Sequence, residues 1–254
     1  MVVGRFQYFA FAVLCLSFMS GSYMGQSLQF LTLQPKYECS TDPLFQNPPP
    51  EKCFPYPKEE FKDVKGFCDN PGLYSRVNYT DEESLNNWFL KNHLVCKSKA
   101  QLGLIGSMQF IGWAISSFII PRLSDIYGRK WPYIASMILQ LLAMIATFFS
   151  TSIEVTTAIM FFLGFSGVGR CSISFLYLME LLPQEKGTFY GTIVQMNNNM
   201  AYIYVALYFW LISIDWRWLE VFAIGMTLFC IIGSLFIPES PKFYLSKKRW
   251  DDAR

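Results

Sequence analysis

Charge is what this sequence has least of. Only 16% of its 254 residues are charged, against 52% hydrophobic and 18% aromatic, which is too apolar for an ordinary soluble surface. The net charge of +2 is too small for a nucleic-acid partner, and the basic residues gather in short loops, not along one face. Histidine is reduced to a single residue, His93. No phosphate-binding glycine loop and no metal-ligand cysteine spacing is present, so neither a cofactor nor a metal is implied.

What the sequence has in abundance is long apolar runs. A helix needs about 20 apolar residues to cross a hydrocarbon core. Six stretches qualify: Phe6 to Leu28, Leu102 to Ile120, Tyr133 to Thr151, Val155 to Met179, Phe189 to Ile212 and Trp216 to Ile237. The first is longer than the apolar core of a cleaved signal peptide and is preceded by one positive charge, Arg5, so it reads as a retained span. Its Gly21 and Gly25, four apart, suit close helix contact.

The stretch Pro121 to Pro132 carries Arg122, Arg129 and Lys130 against one acid, Asp125, between two apolar runs. The positive-inside rule places it on the cytoplasmic side and orients every other segment. Residues 35 to 99 hold nine Lys/Arg and ten Asp/Glu, nearly half of all charge, together with Pro48, Pro49 and Pro50. This segment is read as a large exoplasmic loop. Cys39, Cys53, Cys68 and Cys96 in it are candidates for two disulfides of open connectivity, and Asn78-Tyr79-Thr80 is a glycosylation sequon. The expected division is a first transmembrane helix over 1–28, the cysteine-containing loop over 29–99, helices two to six over 100–237, and a cytoplasmic linker beginning at 238–254.

Polar residues inside spans call for a reason. Arg170 lies near the middle of the fourth run, where insertion scales assign arginine a cost of about 2.5–3.5 kcal/mol. No deep acid partners it by position, since Glu154, Glu180 and Glu220 fall near helix ends. A cavity-facing role and a buried structural pair are both open to it, and its expected partner is a substrate, water or a chain segment absent from this sequence. In the fifth run Gln195, Asn199 and Tyr202 follow i, i+4, i+7 and share a face, as expected for a hydrated cavity wall. Gly164-Phe165-Ser166-Gly167 is similar to the serine motif of rhomboid intramembrane proteases. That chemistry needs a base, and His93 sits in the loop before the second span, so no serine–histidine dyad forms and no enzyme is expected. The small residues fit close helix approach instead.

The loops carry motifs that resemble the major facilitator superfamily, and within it the organic cation/anion/carnitine transporters. Asp125, Gly128, Arg129 and Lys130 match the signature between helices two and three, with Pro121 and Ile126 departing from it. Glu180-Leu-Leu-Pro183 with Lys186-Gly187 resembles the acid and basic pair after helix four. Trp216-Arg217-Trp218-Leu219, Pro238-Glu239-Ser240-Pro241-Lys242 and Leu94-Val95-Cys96 are similar to the organic ion transporters in particular.

The resemblance implies an all-α membrane protein, six helices forming the N-terminal half of a twelve-helix fold with the substrate between the halves. Its partners would be membrane lipid, a small organic ion, and the missing half or a second six-helix unit. Asp125, Gly128, Arg129, Lys130, Glu180, Lys186 and Glu239 would form a gating motif, and Arg170, Gln195, Asn199 and Tyr202 the cavity wall. Arg170 as the sole deep charge leans toward an anionic or zwitterionic substrate. A fragment of a secondary transporter in the plasma membrane or an endomembrane is the expectation. The alternative is a nontransporting assembly subunit or receptor.

Overall fold

The computed structural model describes residues 4–35, 37–39, 75–77, 79, 84–92, 94 and 97–247. In chain order the elements are α1 (Arg5–Ser20), α2 (Ser22–Leu31), β1 (Tyr37–Cys39), β2 (Ser75–Val77), α3 (Trp88–Lys91), α4 (Lys99–Tyr127), α5 (Lys130–Phe149), α6 (Ile153–Val168), α7 (Ser174–Leu181), α8 (Gln184–Leu207), α9 (Trp216–Leu235) and α10 (Pro241–Ser246). A π-turn over Gly169–Ile173 joins α6 to α7, and another over Tyr208–Ile212 extends α8. The two short strands pair antiparallel, with Glu38 opposite Arg76.

Among the described residues, five helical segments are long and apolar enough to cross a membrane: Arg5–Leu31, Ala100–Tyr127, Lys130–Phe149, Ile153–Leu181 and Trp216–Leu235. The sixth expected span also forms, as α8 and its π-extension, but Gln195, Asn197, Asn198 and Asn199 lower its hydropathy. The end of the bundle carrying Gly128 is called inner below, and the opposite end outer.

Helix boundaries follow local chemistry. Ser98 starts α4 through a capping box: its Oγ accepts from Gln101 N at 3.3 Å while its own N–H donates to Gln101 Oε1 at 3.0 Å. The expected hairpin from Pro121 to Pro132 is much shorter in the structure. Helix α4 runs through Pro121 to Tyr127 and α5 begins at Lys130, leaving a turn of Gly128 and Arg129. Proline removes one N–H from the helical ladder, and a packed membrane helix tolerates that loss. Gly128 makes the turn with φ of 99°, a conformation open to glycine. The inner loop expected from Leu181 to Lys186 shrinks likewise, because α8 starts at Gln184 directly after Pro183.

Between helices, packing rests on small residues, since lipid gives apolar surfaces no reason to prefer each other. Helices α4 and α6 meet most closely: a Cβ on Gly112 would stand 2.9 Å from Phe165 N, and one on Gly164 would stand 2.7 Å from the Gln109 carbonyl carbon. The core divides into two apolar clusters. The inner one includes Leu14, Tyr133, Met137, Tyr177 and Ile237, and the outer one Met24, Trp88, Met144, Met160 and Trp216. A layer of buried polar side chains lies between them: Ser20, Gln140, Arg170 and Thr227.

Candidate functional site in the polar layer and at the bundle ends

The polar layer forms where the first span breaks. Gly21 has φ −83° and ψ −11° and separates α1 from α2. A Cβ there would lie 2.7 Å from both Arg170 Cζ and Gln140 Oε1, so only glycine lets these side chains reach the break. Arg170, only 6% exposed, donates from Nη1 to the carbonyl of Phe18, in the last turn of α1 where carbonyls lack full intrahelical partners, and to Ser22 Oγ at 3.4 Å. Gln140 Nε2 donates to Ser20 Oγ at 3.0 Å and Thr227 Oγ1 at 3.2 Å, tying α5 and α9 to the same point. The Ser22 hydroxyl donates to Asn198 Oδ1, and Asn197 Nδ2 reaches Cys15 Sγ at 3.5 Å.

Arg170 Nη1 bonds a carbonyl and a hydroxyl of the first span, which gives the buried guanidinium a structural partner within the chain. Arg170 is carried on the π-turn, an irregularity that recurs at functional positions in helices. Gln195, Asn199 and Tyr202 are exposed along α8, apart from Arg170, which reaches α8 only through Ser22 and Asn198. The four cavity candidates therefore divide into one buried anchor and a three-residue exposed face.

At the inner end the gating residues converge. Arg129 Nη1 bonds Asp125 Oδ1 at 2.6 Å and Ser124 Oγ at 2.7 Å, and its Nε stands 3.6 Å from Glu180 Oε1, an ion pair beyond hydrogen-bond length. Glu239, from the segment after α9, accepts from the backbone N–H of Arg129 at 2.8 Å and of Lys130 at 3.1 Å. A carboxylate at the first N–H groups of α5 meets both unpaired donors and the positive end of the helix dipole. Ser240 N–H donates to Glu239 Oε1 at 2.9 Å, and the Ser240 hydroxyl donates to Glu180. Lys130 Nζ reaches Leu235 O at 2.9 Å, and Tyr177 OH donates to Pro238 O. Lys186, exposed in the first turn of α8, takes part in none of these contacts.

Sequence reasoning missed the outer end altogether. Asn87 caps α3 by accepting from Phe89 N at 3.1 Å, while its Nδ2 donates to Phe30 O and Leu33 O, each at 2.8 Å. Lys91 Nζ donates to Thr147 O and Phe148 O, each at 2.9 Å, so it neutralises the carbonyl end of α5. The same ammonium lies 4.6 Å from the centre of the Trp216 ring, and Trp216 packs edge-on against Trp88. Burial holds the Lys91 ammonium below the ordinary lysine value, with Glu220 opposing that shift and Arg217 adding to it. Asn86 N–H donates to Ile214 O at 3.0 Å and Trp216 N–H to Asn86 O at 3.3 Å. Segment 84–92 is thus seated across the ends of α2, α5 and α9. Beneath it Glu220, placed near a helix end by sequence, is only 2% exposed. The side chains of Cys39, Cys53, Cys68 and Cys96, and Asn78 with them, lie outside the described residues, as does His93.

Comparison with known proteins gives this architecture its relatives. The family model described as "Sugar (and other) transporter" matches residues 61–254. Solute carrier family 22 member 4 of Mus musculus is 26% identical across 98% of this chain and 50% of its own length. Organic cation/carnitine transporter 2 of Homo sapiens is 25% identical over the same shares of the two chains. Among solved structures, the inward-open xylose transporter XylE from E. coli superposes with a TM-score of 0.59 at 14% identity, covering 98% of this chain and 51% of that one. The chain spans about half the length of the curated relatives it matches.

Proposed function

The chain belongs to the sugar (and other) transporter family of the major facilitator superfamily, and from that premise we propose that it takes part in moving a small organic ion across a membrane by alternating access. The observation that carries this reading is the exposed face of Gln195, Asn199 and Tyr202 on α8, a polar stripe beside exposed apolar side chains such as Met196 and Ile203. Lipid gives such side chains no partners, whereas a hydrated cavity does. Arg170 supports this wall from behind by fixing the break in the first span, to which Ser22 and Asn198 also bind.

The substrate class follows from the relatives and from the position of Arg170. Proteins named as organic cation and carnitine transporters are similar over nearly the whole chain. With the Arg170 guanidinium turned into the first span, its charge does not favour an anion at the exposed face. A small organic cation or zwitterion is the substrate proposed, with the chain paired to a second six-helix unit that closes the cavity. At the inner end Asp125, bonded to Arg129 yet with a side chain 68% exposed, engages a helix N-terminus of that unit when the inner side closes. The membrane concerned is the plasma membrane or an endomembrane.

Uptake of a radiolabelled tetraalkylammonium and of carnitine by cells expressing the full-length protein tests the reading. Uptake of at least one above the vector control is expected, with loss of most of the rate in Asp125→Asn at unchanged surface expression. No uptake of either compound from a surface-expressed protein would count against it.

A further inference from the structure

Glu220 is the buried acid that the transport reading does not use. It is 2% exposed, and among the described residues both its carboxyl oxygens are buried without a hydrogen-bond partner. It lines a cavity of about 10 Å³, the size of one water-sized sphere, bounded by Tyr23, Met24, Ser27, Trp216 and Ala223. The neighbouring polar groups are committed elsewhere. Ser27 Oγ donates to Met24 O at 3.1 Å, and Tyr23 OH points to Met19 Sδ. Lys91 Nζ gives its hydrogen bonds to Thr147 O and Phe148 O and makes no ion pair with Glu220.

An ionised carboxylate with no donor and no counter-ion in contact is strongly disfavoured in such a place, while the neutral acid is tolerated. We propose that Glu220 is a proton-binding site, holding its proton while segment 84–92 is seated over the bundle and releasing it to water at the outer end when that segment lifts. Trp216, one helical turn before Glu220, connects the two events. Its ring lines the cavity, carries Lys91 and packs on Trp88 of the segment, so lifting α3 loosens the Trp216 wall of the cavity and frees the Lys91 ammonium to meet the new carboxylate. Among the described residues, the titratable and charged groups around the site are Lys91 on α3, Tyr23 on α2, and Arg217 on α9 itself, which acts on Lys91. This inference rests on the geometry of the outer end and does not require that the chain transport anything.

Hydrogen–deuterium exchange of the peptide covering 84–92, in the full-length protein and corrected for the chemical exchange rate, tests it without substrate. Between about pH 5.5 and about pH 8.5, wild-type protection should fall as pH rises, by at most about tenfold per pH unit for one linked proton. Glu220→Gln, which cannot ionise, should hold the segment with the same protection throughout. Glu154→Gln, at an exposed acid of the same end, should follow the wild type. A pH-independent wild type, or a Glu220→Gln variant with the wild-type slope, would overturn the proposal. Should Glu220→Gln fail to fold, infrared titration of the wild type decides. A protonated carboxyl band persisting to about neutral pH supports the site, and its absence refutes it.

Discussion

Glu239 shows how one side chain can determine the geometry of an entire bundle end. Its two oxygens take the first backbone donors of α5, and Gly128 leaves the space, since a Cβ on Gly128 would stand 2.7 Å from Glu239 Cδ. Charge-assisted capping at a partly buried helix N-terminus is worth about 1–2 kcal/mol. Glu239→Gln keeps the shape and loses the charge, so it should lower stability by roughly that amount in thermal unfolding of the detergent-solubilised protein. Lys242→Gln, at an exposed position three residues on, should change stability by about 0.5 kcal/mol or less. Equal effects at the two positions would show that the cap contributes nothing.

At the scale of elements, periodicity and charge located the spans well, because a membrane asks for long apolar runs and basic turns on one side. Arg170 was recognisable as out of place by its depth alone. What the sequence concealed was how helices break and who satisfies whom. Nothing in Gly169–Ile173 announces a π-turn, and nothing local to Gly21 announces that Arg170 and Gln140 press against it from helices more than a hundred residues away. Segment 84–92 read only as loop, although Asn87 and Lys91 bond the ends of two spans and Asn86 that of a third, since those partners are distant in sequence. The small residues of the fourth span were legible as a contact surface, and the α4–α6 interface bears that reading out. Gly164→Ala places a methyl against the Gln109 backbone, which cannot move aside as a flexible side chain could. Overpacking of this kind costs about 1–3 kcal/mol. Gly103→Ala on α4, where nothing lies within 4 Å, should be neutral or slightly stabilising. Thermal unfolding of the two variants compares them directly, and an equally tolerated Gly164→Ala would mean that the helices do not pack this closely.

Across the whole molecule, three tiers follow one another from one end of the helical bundle to the other: a charged inner cluster centred on Arg129, a polar layer at the break of the first span, and an outer seat under segment 84–92. Alternating access needs two ends that can each open and a middle that stays polar. Under the proposed function the tiers would serve as those parts, and the exposed face of α8 is where a substrate would meet the polar middle. The most direct test of that claim is the water accessibility of this face in membranes. Single cysteines introduced at Gln195, Asn199 and Tyr202 of the full-length protein should react with a membrane-impermeant, water-soluble thiol reagent, with each modified position read by mass spectrometry. A cysteine at Phe229, an exposed apolar position on α9, should not react. Labelling at all three α8 positions and none at Phe229 is the predicted result; protection of the three from the aqueous reagent, with labelling only by a lipid-soluble one, would contradict a hydrated cavity wall.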